Sequence, residues 1–227
     1  MEIKFQRWWA PALALCLVFP ATAPAQESGE DTVAAAPETE DVAQAEVKHP
    51  RVSVSVSVTS ADGRATPLGV MVIELRPDEA PGHVENFLKL VKEEFYVGTT
   101  FHRIVPAFIV QGGDLLSKGN WKSSKVGTGS SGPEYTLPAE IGGRHLRGAV
   151  AAARKPDAVN PNRASSPSQF YICLADLPSL DQGGYTVFGQ VVEGMDVVDK
   201  LARVKNTGPP RNQALQQVTM TQVKLLP

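Results

Sequence analysis

Short stretches in which apolar and polar residues alternate recur along residues 51–227, and they constrain the fold more than any other feature of the chain. The clearest is the run of Val52, Val54, Val56 and Val58, which alternate with Arg51 and three serines. Successive side chains of a β-strand point to opposite faces, so this period of two predicts a strand buried on one side only. We predict further strands over residues 68–75, 148–153, 169–174 and 218–226.

Only two segments have apolar residues at helical spacing. The first begins at Pro81, where proline suits the first turn of a helix, and it carries Val84, Phe87, Leu88 and Val91 on one face. The second covers residues 195–204. Many short strands and few helices predict a mainly-β sandwich or barrel.

The first 25 residues have the pattern of a secretory signal peptide. Lys4 and Arg7 precede an apolar segment at residues 10–19 that is short for a membrane span, and Ala23-Pro24-Ala25 is an A-x-A cleavage site. We therefore expect export, with the periplasm as the compartment if the source is a diderm bacterium. An uncleaved membrane anchor is the alternative.

Residues 26–50 are rich in Ala, Pro and acidic residues, with seven carboxylates against one lysine. A segment with so little apolar surface to bury is predicted to be a disordered linker. The domain organisation is then a signal at residues 1–25, a linker at 26–50 and one folded domain at 51–227. The chain has a formal net charge of -2, which gives no reason to expect nucleic acid or a membrane surface as a partner, and we expect a monomer.

The usual motifs of nucleophilic and metal-dependent catalysis are absent from the sequence. It contains no Gly-x-Ser-x-Gly elbow, no His-Glu-x-x-His and no pair of cysteines at zinc spacing, so we expect neither a metal nor a cofactor. Cys173 lies in an apolar run and is interpreted as a buried thiol. Among the histidines, His102 is expected to have a structural or surface role, and His145, between Arg144 and Leu146, is expected to face solvent.

A cation and an amide occur among large apolar residues in the stretch from Phe101 to Asp114. Polar side chains such as Arg103 and Gln111 are unusual on a strand face that is otherwise apolar, so we interpret this face as a binding site. Such a surface suits a reaction that needs no acid, base or nucleophile. Rotation about an X-Pro peptide bond is one, because it requires an apolar slot, a cationic donor near the imide nitrogen and hydrogen bonds to one flank.

Four motifs in this chain resemble those of the cyclophilin-type peptidyl-prolyl cis-trans isomerases. They are Phe101-His102-Arg103-Ile104-Val105-Pro106, Phe108-Ile109-Val110-Gln111-Gly112-Gly113-Asp114, Ser168-Gln169-Phe170-Tyr171-Ile172-Cys173 and Val187-Phe188-Gly189. The resemblance covers roughly residues 51–227 in order. It implies a closed eight-stranded antiparallel β-barrel capped by two α-helices, with the substrate groove on the outer face.

The resemblance also implies roles for single residues. Arg103 and Gln111 match the catalytic positions. The substrate-binding positions are Phe101, Phe108, Ile109, Ala153, Arg154, Gln169, Tyr171, Leu180 and Tyr185. Arg154 stands where many members have Asn, Tyr185 where many eukaryotic members have His, and Ser179 where cyclosporin-sensitive members have Trp.

The function that the resemblance implies is isomerisation of X-Pro bonds in unfolded or partly folded exported proteins. A binding module that holds proline-containing segments with little turnover is the alternative. A third hypothesis, a lipocalin-like carrier, requires a hollow barrel and is disfavoured by the in-order match of the motifs.

Overall fold

The computed structural model describes residues 49–129 and 132–227. The predicted signal peptide and residues 26–48 of the predicted linker lie outside the described residues, so both remain predictions. Within the described ranges, no helix combines the length and the apolar character needed to cross a membrane.

The fold is built on eight β-strands. They are β1 (Arg51–Thr59), β2 (Ala65–Leu75), β3 (Phe101–Val105), β4 (Ile109–Gly112), β5 (Ala149–Arg154), β6 (Ser165–Cys173), β7 (Val187–Glu193) and β8 (Gln217–Leu225). Neighbouring strands pair antiparallel in the order β3-β4-β6-β5-β7-β2-β1-β8. A bridge between Thr100 and Thr219 brings the two edge strands together, so the sheet curls into a nearly closed barrel. The predicted eight-stranded antiparallel barrel is confirmed.

Two longer helices accompany the barrel, as predicted. These are α1 (Pro81–Lys92) and α4 (Met195–Ala202). Two short helices, α2 (Ser117–Asn120) and α3 (Pro178–Gln182), lie in the connections and were not predicted. A helix of four or five residues is too short to have a detectable apolar period, which is why the sequence does not reveal it.

The barrel interior is filled by apolar side chains from the strands and from both longer helices. Val52, Val54 and Val56 of β1 are each at most 2% exposed, as the alternation predicts. Val84 and Phe87 of α1 pack into the same cluster. Burying a side chain of this size stabilises the fold by about 1.5–3 kcal/mol. Because these side chains fill the interior, the barrel is not the hollow one that a carrier would need.

A second apolar cluster lies apart from the interior, on the strands β4 to β7. We call it the outer cluster, and its buried members are Ile109, Ala149, Ala151, Tyr171, Cys173 and Val187. Its partly buried members are Val105, Phe108, Ala153, Leu177, Leu180 and Tyr185. The thiol of Cys173 is 0% exposed, as expected, and burial raises its pKa to about 12. The outer face of a barrel is ordinarily polar, so an apolar patch there indicates a binding or interaction surface.

Candidate active site

The stretch from Phe101 to Asp114 is a hairpin rather than one continuous strand. β3 ends at Val105 and β4 begins at Ile109, and the amide of Phe108 donates to the carbonyl of Val105 across the turn at 3.0 Å. Pro106 cannot donate to a strand ladder, and Ala107 has a left-handed φ of 58°. These two residues therefore break the strand and fold Gln111 back beside Arg103.

The hairpin contains a bulge that changes which residues face the outer surface. Phe101 pairs with Gly112, but Arg103 pairs with Gln111, so β3 carries one extra residue at His102. Phe101 consequently points into the barrel interior, where it is 0% exposed and contacts Phe170 edge to face. The prediction that Phe101 binds substrate is wrong, because the bulge places it and Arg103 on opposite faces.

The strand register lines up one residue from each of five neighbouring strands. Arg103 lies opposite Gln111, Gln111 opposite Tyr171, Tyr171 opposite Ala151, and Ala151 opposite Val187. Residues directly opposite in a sheet share a face. The row therefore runs from a cation and an amide into the outer cluster, and the structure brings together the polar and apolar groups that the sequence only suggested.

Arg103 is half-buried beside this apolar surface. Its Nη1 donates to Oε1 of Gln111 at 3.3 Å. The ion pairs found among the described residues all involve other side chains. Burial lowers the pKa of Arg103, and Tyr185 opposes that shift, but a guanidinium stays protonated in proteins. Within residues 49–129 and 132–227, Gln111 is the acceptor that the Arg103 side chain bonds, so the remaining guanidinium donors are available to an acceptor in the groove.

The orientation of Gln111 is fixed from behind. Its Nε2 donates to Oε1 of Gln169 at 3.1 Å, and Nε2 of Gln169 donates to Oδ2 of Asp114 at 3.0 Å. Asp114 is 0% exposed and also accepts the amides of Leu116 and Gly127. A buried carboxylate accepts only, so it sets the direction of every bond in this chain and leaves the amide oxygen of Gln111 turned toward Arg103.

Three predicted pocket residues form the walls of the outer cluster. Tyr171 is 3% exposed on β6, Leu180 lies on α3, and Tyr185 lies just before β7. The rings of Tyr171 and Tyr185 meet edge to face with centroids 6.0 Å apart. Ile109 and Phe108 of the hairpin belong to the same cluster. The arrangement is an apolar surface, and Arg103 lies at the end of the row of paired residues that crosses it.

Arg154 is held by intramolecular contacts. Its guanidinium donates to the carbonyl of Gly183 and to Asp157, and its centre lies 4.3 Å from the ring centroid of Tyr185. The side chain is 4% exposed. Arg154 therefore stacks on a pocket wall and ties it to the loop that follows β5, an arrangement that leaves its guanidinium little freedom to contact a substrate directly.

A cavity of about 510 Å³ opens on the other side of Gln111. Ala153, Arg154 and Gln169 line it together with residues of the two loops that follow β4 and β5. The small side chain of Ala153 belongs both to this cavity and to the outer cluster. Gln111 and Ala153 therefore connect the outer cluster with this cavity, because Gln111 lines the cavity and pairs with Tyr171, and Ala153 belongs to both.

His145 is a second residue, after Phe101, that the sequence interpretation placed wrongly. It is 1% exposed rather than solvent-facing, and its Nε2 lies 2.9 Å from the hydroxyl of Tyr171. Its Nδ1 lies 2.6 Å from Oδ1 of Asp181. No local pattern reveals this, because the segment before β5 is irregular and the two partners are 26 and 36 residues away in sequence. A tyrosine hydroxyl in a buried position, which needs a partner, was the available signal.

Comparisons with known proteins identify the family that this chain resembles. Residues 55–225 match the family described as cyclophilin type peptidyl-prolyl cis-trans isomerase/CLD. Peptidyl-prolyl cis-trans isomerase A of Dickeya dadantii is 36% identical over 167 residues, covering 71% of this chain and 82% of that protein. A probable peptidyl-prolyl cis-trans isomerase of Brucella suis is 46% identical over 141 residues, covering 60% of this chain and 67% of that protein.

The fold has a solved counterpart as well. The crystal structure of a cyclophilin type peptidyl-prolyl cis-trans isomerase from Cryptosporidium parvum superposes with a TM-score of 0.61 at 23% identity, covering 79% of this chain and 99% of that one. At 23% identity the superposition establishes the fold alone. The family is established by the sequence matches. The chain belongs to the cyclophilin-type peptidyl-prolyl cis-trans isomerases.

Proposed function

We propose that Arg103, Gln111 and the outer cluster form the site at which this isomerase turns X-Pro bonds of unfolded or partly folded exported proteins. The observation that carries the proposal is the register of β3, β4 and β6, which sets Arg103 and Gln111 in line with Tyr171. A cation with free donors at the edge of an apolar slot suits a proline ring whose imide nitrogen needs a hydrogen bond.

The chemistry asked of these residues is modest. The rotational barrier of a peptide bond is about 18–20 kcal/mol, and X-Pro isomerisation takes tens to hundreds of seconds without a catalyst. Bringing it to milliseconds requires a rate factor on the order of 10⁴, or about 5.5 kcal/mol. A hydrogen bond from Arg103 to the pyramidal imide nitrogen stabilises the twisted state more than either planar state, because conjugation removes the nitrogen lone pair from the planar forms.

Gln111 and the outer cluster have complementary tasks in this proposal. Ile109, Phe108, Tyr171 and Leu180 hold the proline ring by apolar contact, and Gln111 hydrogen-bonds the peptide backbone on one flank. With that flank fixed, only the other flank of the peptide turns, so the motion of the bound peptide is restricted to rotation about the X-Pro bond.

A protease-coupled assay with an Ala-Ala-Pro-Phe peptide tests the proposal. We expect wild-type protein to accelerate isomerisation and Arg103→Ala to reduce kcat/KM by at least about tenfold, the loss of one charge-assisted hydrogen bond. Arg203→Ala is the matched control, because Arg203 is exposed and lies outside the outer cluster. Unchanged activity in a folded Arg103→Ala variant contradicts the assignment.

The alternative function, a module that holds proline segments without turning them over, predicts a different result. Wild-type protein would then bind the peptide and leave its isomerisation rate unchanged. The availability of the donors of Arg103 favours the enzyme, since a pure binding groove needs no cation at the position of the imide nitrogen.

We also propose that the protein is exported to the periplasm as a monomer after cleavage at Ala25. The proposal is supported by the charged start, the short apolar segment and the Ala23-Pro24-Ala25 site in the sequence. Expression in a diderm bacterium, followed by intact-mass measurement and light scattering of the periplasmic fraction, should give a monomer that begins at Gln26. A full-length mass in the membrane fraction contradicts cleavage and indicates an anchor.

A further inference from the structure

The buried imidazole of His145 has a role that the proposed mechanism does not use. Its ring lies between the outer cluster and α3 and makes a hydrogen bond at each nitrogen. Oδ1 of Asp181 is 2.6 Å from Nδ1 and also accepts the backbone amide of His145 at 2.8 Å. On the other side, Nε2 is 2.9 Å from the hydroxyl of Tyr171.

The partners determine where the protons lie. An ionised carboxylate only accepts, so Nδ1 of His145 carries the hydrogen that points to Asp181. In the neutral ring Nε2 then accepts, and the hydroxyl of Tyr171 is its donor. Burial raises the pKa of Tyr171 far above its ordinary value, so this hydroxyl keeps its proton. The result is a directed chain from Tyr171 through His145 to Asp181.

This chain connects walls of the proline slot that come from separate parts of the sequence. Tyr171 belongs to β6, and Asp181 adjoins Leu180 on α3. The ring of Tyr185 also meets His145 edge to face, with centroids 6.3 Å apart. Three pocket side chains thus depend on the position of one imidazole that does not itself line the slot.

We propose that His145 is a positioning residue for the proline pocket, holding Tyr171 and the helix that carries Leu180 at the separation that fits a proline ring. This rests on the assignment of the outer cluster as the proline site. His145 acts through its two partners rather than on the peptide, so its loss should weaken substrate binding in the planar and twisted states alike. KM should then rise while kcat changes little.

Protonation of His145 would break the chain. With a second hydrogen on Nε2, the Tyr171 hydroxyl must accept instead of donate, and its own proton loses its acceptor. Burial lowers the pKa of His145, and Asp181 opposes this shift, so the chain is intact at neutral pH and is disturbed only on the acid side of the ordinary histidine range. The charged and titratable groups that face the chain are Asp181, Tyr171, Tyr185, Cys173, Arg144 and Arg154.

His83 provides a matched control within the same molecule. It is also a buried histidine, 2% exposed, with Nδ1 2.5 Å from a carboxylate oxygen, that of Glu140. Its ring stacks on Phe188 of the barrel interior instead of contacting the outer cluster. Removing His83 therefore perturbs a buried histidine–carboxylate pair without touching the pocket walls.

The experiment compares His145→Asn, Tyr171→Phe, their double variant and His83→Asn. Peptide affinity is measured by NMR titration, kcat and KM by the isomerase assay from pH 8 to pH 4.5, and folding by thermal melting. We expect KM and Kd to rise about three- to tenfold in His145→Asn and in Tyr171→Phe, with no further rise in the double variant because the two changes break one chain. His83→Asn should lower the melting temperature and leave KM unchanged.

The pH profile separates positioning from a general loss of stability. Wild-type KM should rise at the acid end of the range, and Tyr171→Phe, which lacks the hydroxyl that must reorient, should show no such rise. The proposal is overturned if Tyr171→Phe retains wild-type affinity and the wild-type acid profile. If the wild type binds the peptide but does not turn it over, the isomerase assignment fails, whereas the affinities of the same variants still decide the role of His145.

Discussion

Asp114 lies at the far end of the hydrogen-bond chain that reaches Arg103, and it does not itself line the cavity. Its carboxylate accepts from Gln169, Leu116 and Gly127 while being 0% exposed. The direction of the amide of Gln111 depends on these bonds. The residue therefore belongs to the site although it contacts no substrate, and its effect should be seen in both stability and binding.

We predict that Asp114→Asn destabilises the fold by about 1–3 kcal/mol and raises KM for a proline peptide. The NH₂ group of the new asparagine must face one of the N–H groups that Asp114 accepts, those of Leu116, Gly127 and Gln169. That N–H group is then buried without an acceptor. Urea denaturation and the isomerase assay measure the two effects. Asp62→Asn is the control, since Asp62 is exposed in the β1–β2 turn, and equal behaviour of the two variants would contradict the account.

Ser179 is exposed on α3, at the position where cyclosporin-sensitive cyclophilins carry Trp. A serine offers neither an indole donor nor a large apolar face to the drug. We therefore predict weak inhibition by cyclosporin, with Ser179→Trp restoring part of the affinity. A submicromolar inhibition constant for the wild type would refute this prediction.

At the scale of elements, α1 begins without a side-chain cap of its own. Ala80 occupies the N-cap position, and the amides of Gly82 and His83 are instead bound by the carboxylate of Glu140, 58 and 57 residues away in sequence. An anion at this end of a helix also interacts favourably with the helix dipole. Glu140 thereby fixes its own part of the connection before β5 to the first helix.

We predict that Glu140→Gln destabilises the protein by about 1–2 kcal/mol, because an amide replaces one accepting oxygen with a donor at a helix start. Denaturation by urea at pH 7 measures the loss. Glu134→Gln, at an exposed carboxylate in the same connection, should have little effect. If both variants are as stable as wild type, the capping role is wrong.

The features that were predictable from sequence are those determined by neighbours in the chain. Alternation from Val52 and the apolar stripe after Pro81 depend only on the periods of strand and helix. The stripe was confirmed, and the alternation was confirmed as far as Val56, after which a register shift buries Ser57. The bulge at His102 depends on the partner strand β4, so the face of Phe101 was assigned wrongly. His145 depends on partners in β6 and α3, and the residues beside it gave a misleading impression of exposure.

At the scale of the whole molecule, three buried histidines share one electrostatic property. Burial lowers the pKa of His83, His102 and His145, and that of His102 falls to about 4. Between pH 6.5 and the lower pKa in the fold, the unfolded chain binds protons that the native protein does not. The contribution of these three histidines to stability is therefore fully present above pH 6.5 and is lost as the pH falls.

We predict that the free energy of unfolding falls between pH 7.5 and pH 4.5, with His102 alone contributing up to about 3 kcal/mol by pH 4. Urea denaturation at several pH values measures this decrease. His102→Gln should flatten the dependence, while His49→Gln, at an exposed position, should not. A stability that is constant over this range contradicts the assignment of these histidines as neutral in the fold.

The central claim is that Arg103, set beside an apolar slot by the barrel register, accelerates rotation about an X-Pro bond. Exchange NMR on a proline peptide at equilibrium measures that rotation directly, without a coupling protease, and a titration of the same sample gives the affinity. We predict fast cis–trans exchange with the wild type, and exchange at least about tenfold slower with Arg103→Ala at similar affinity. Exchange that is equally fast in a folded Arg103→Ala variant, or uncatalysed in the wild type despite binding, would contradict the account.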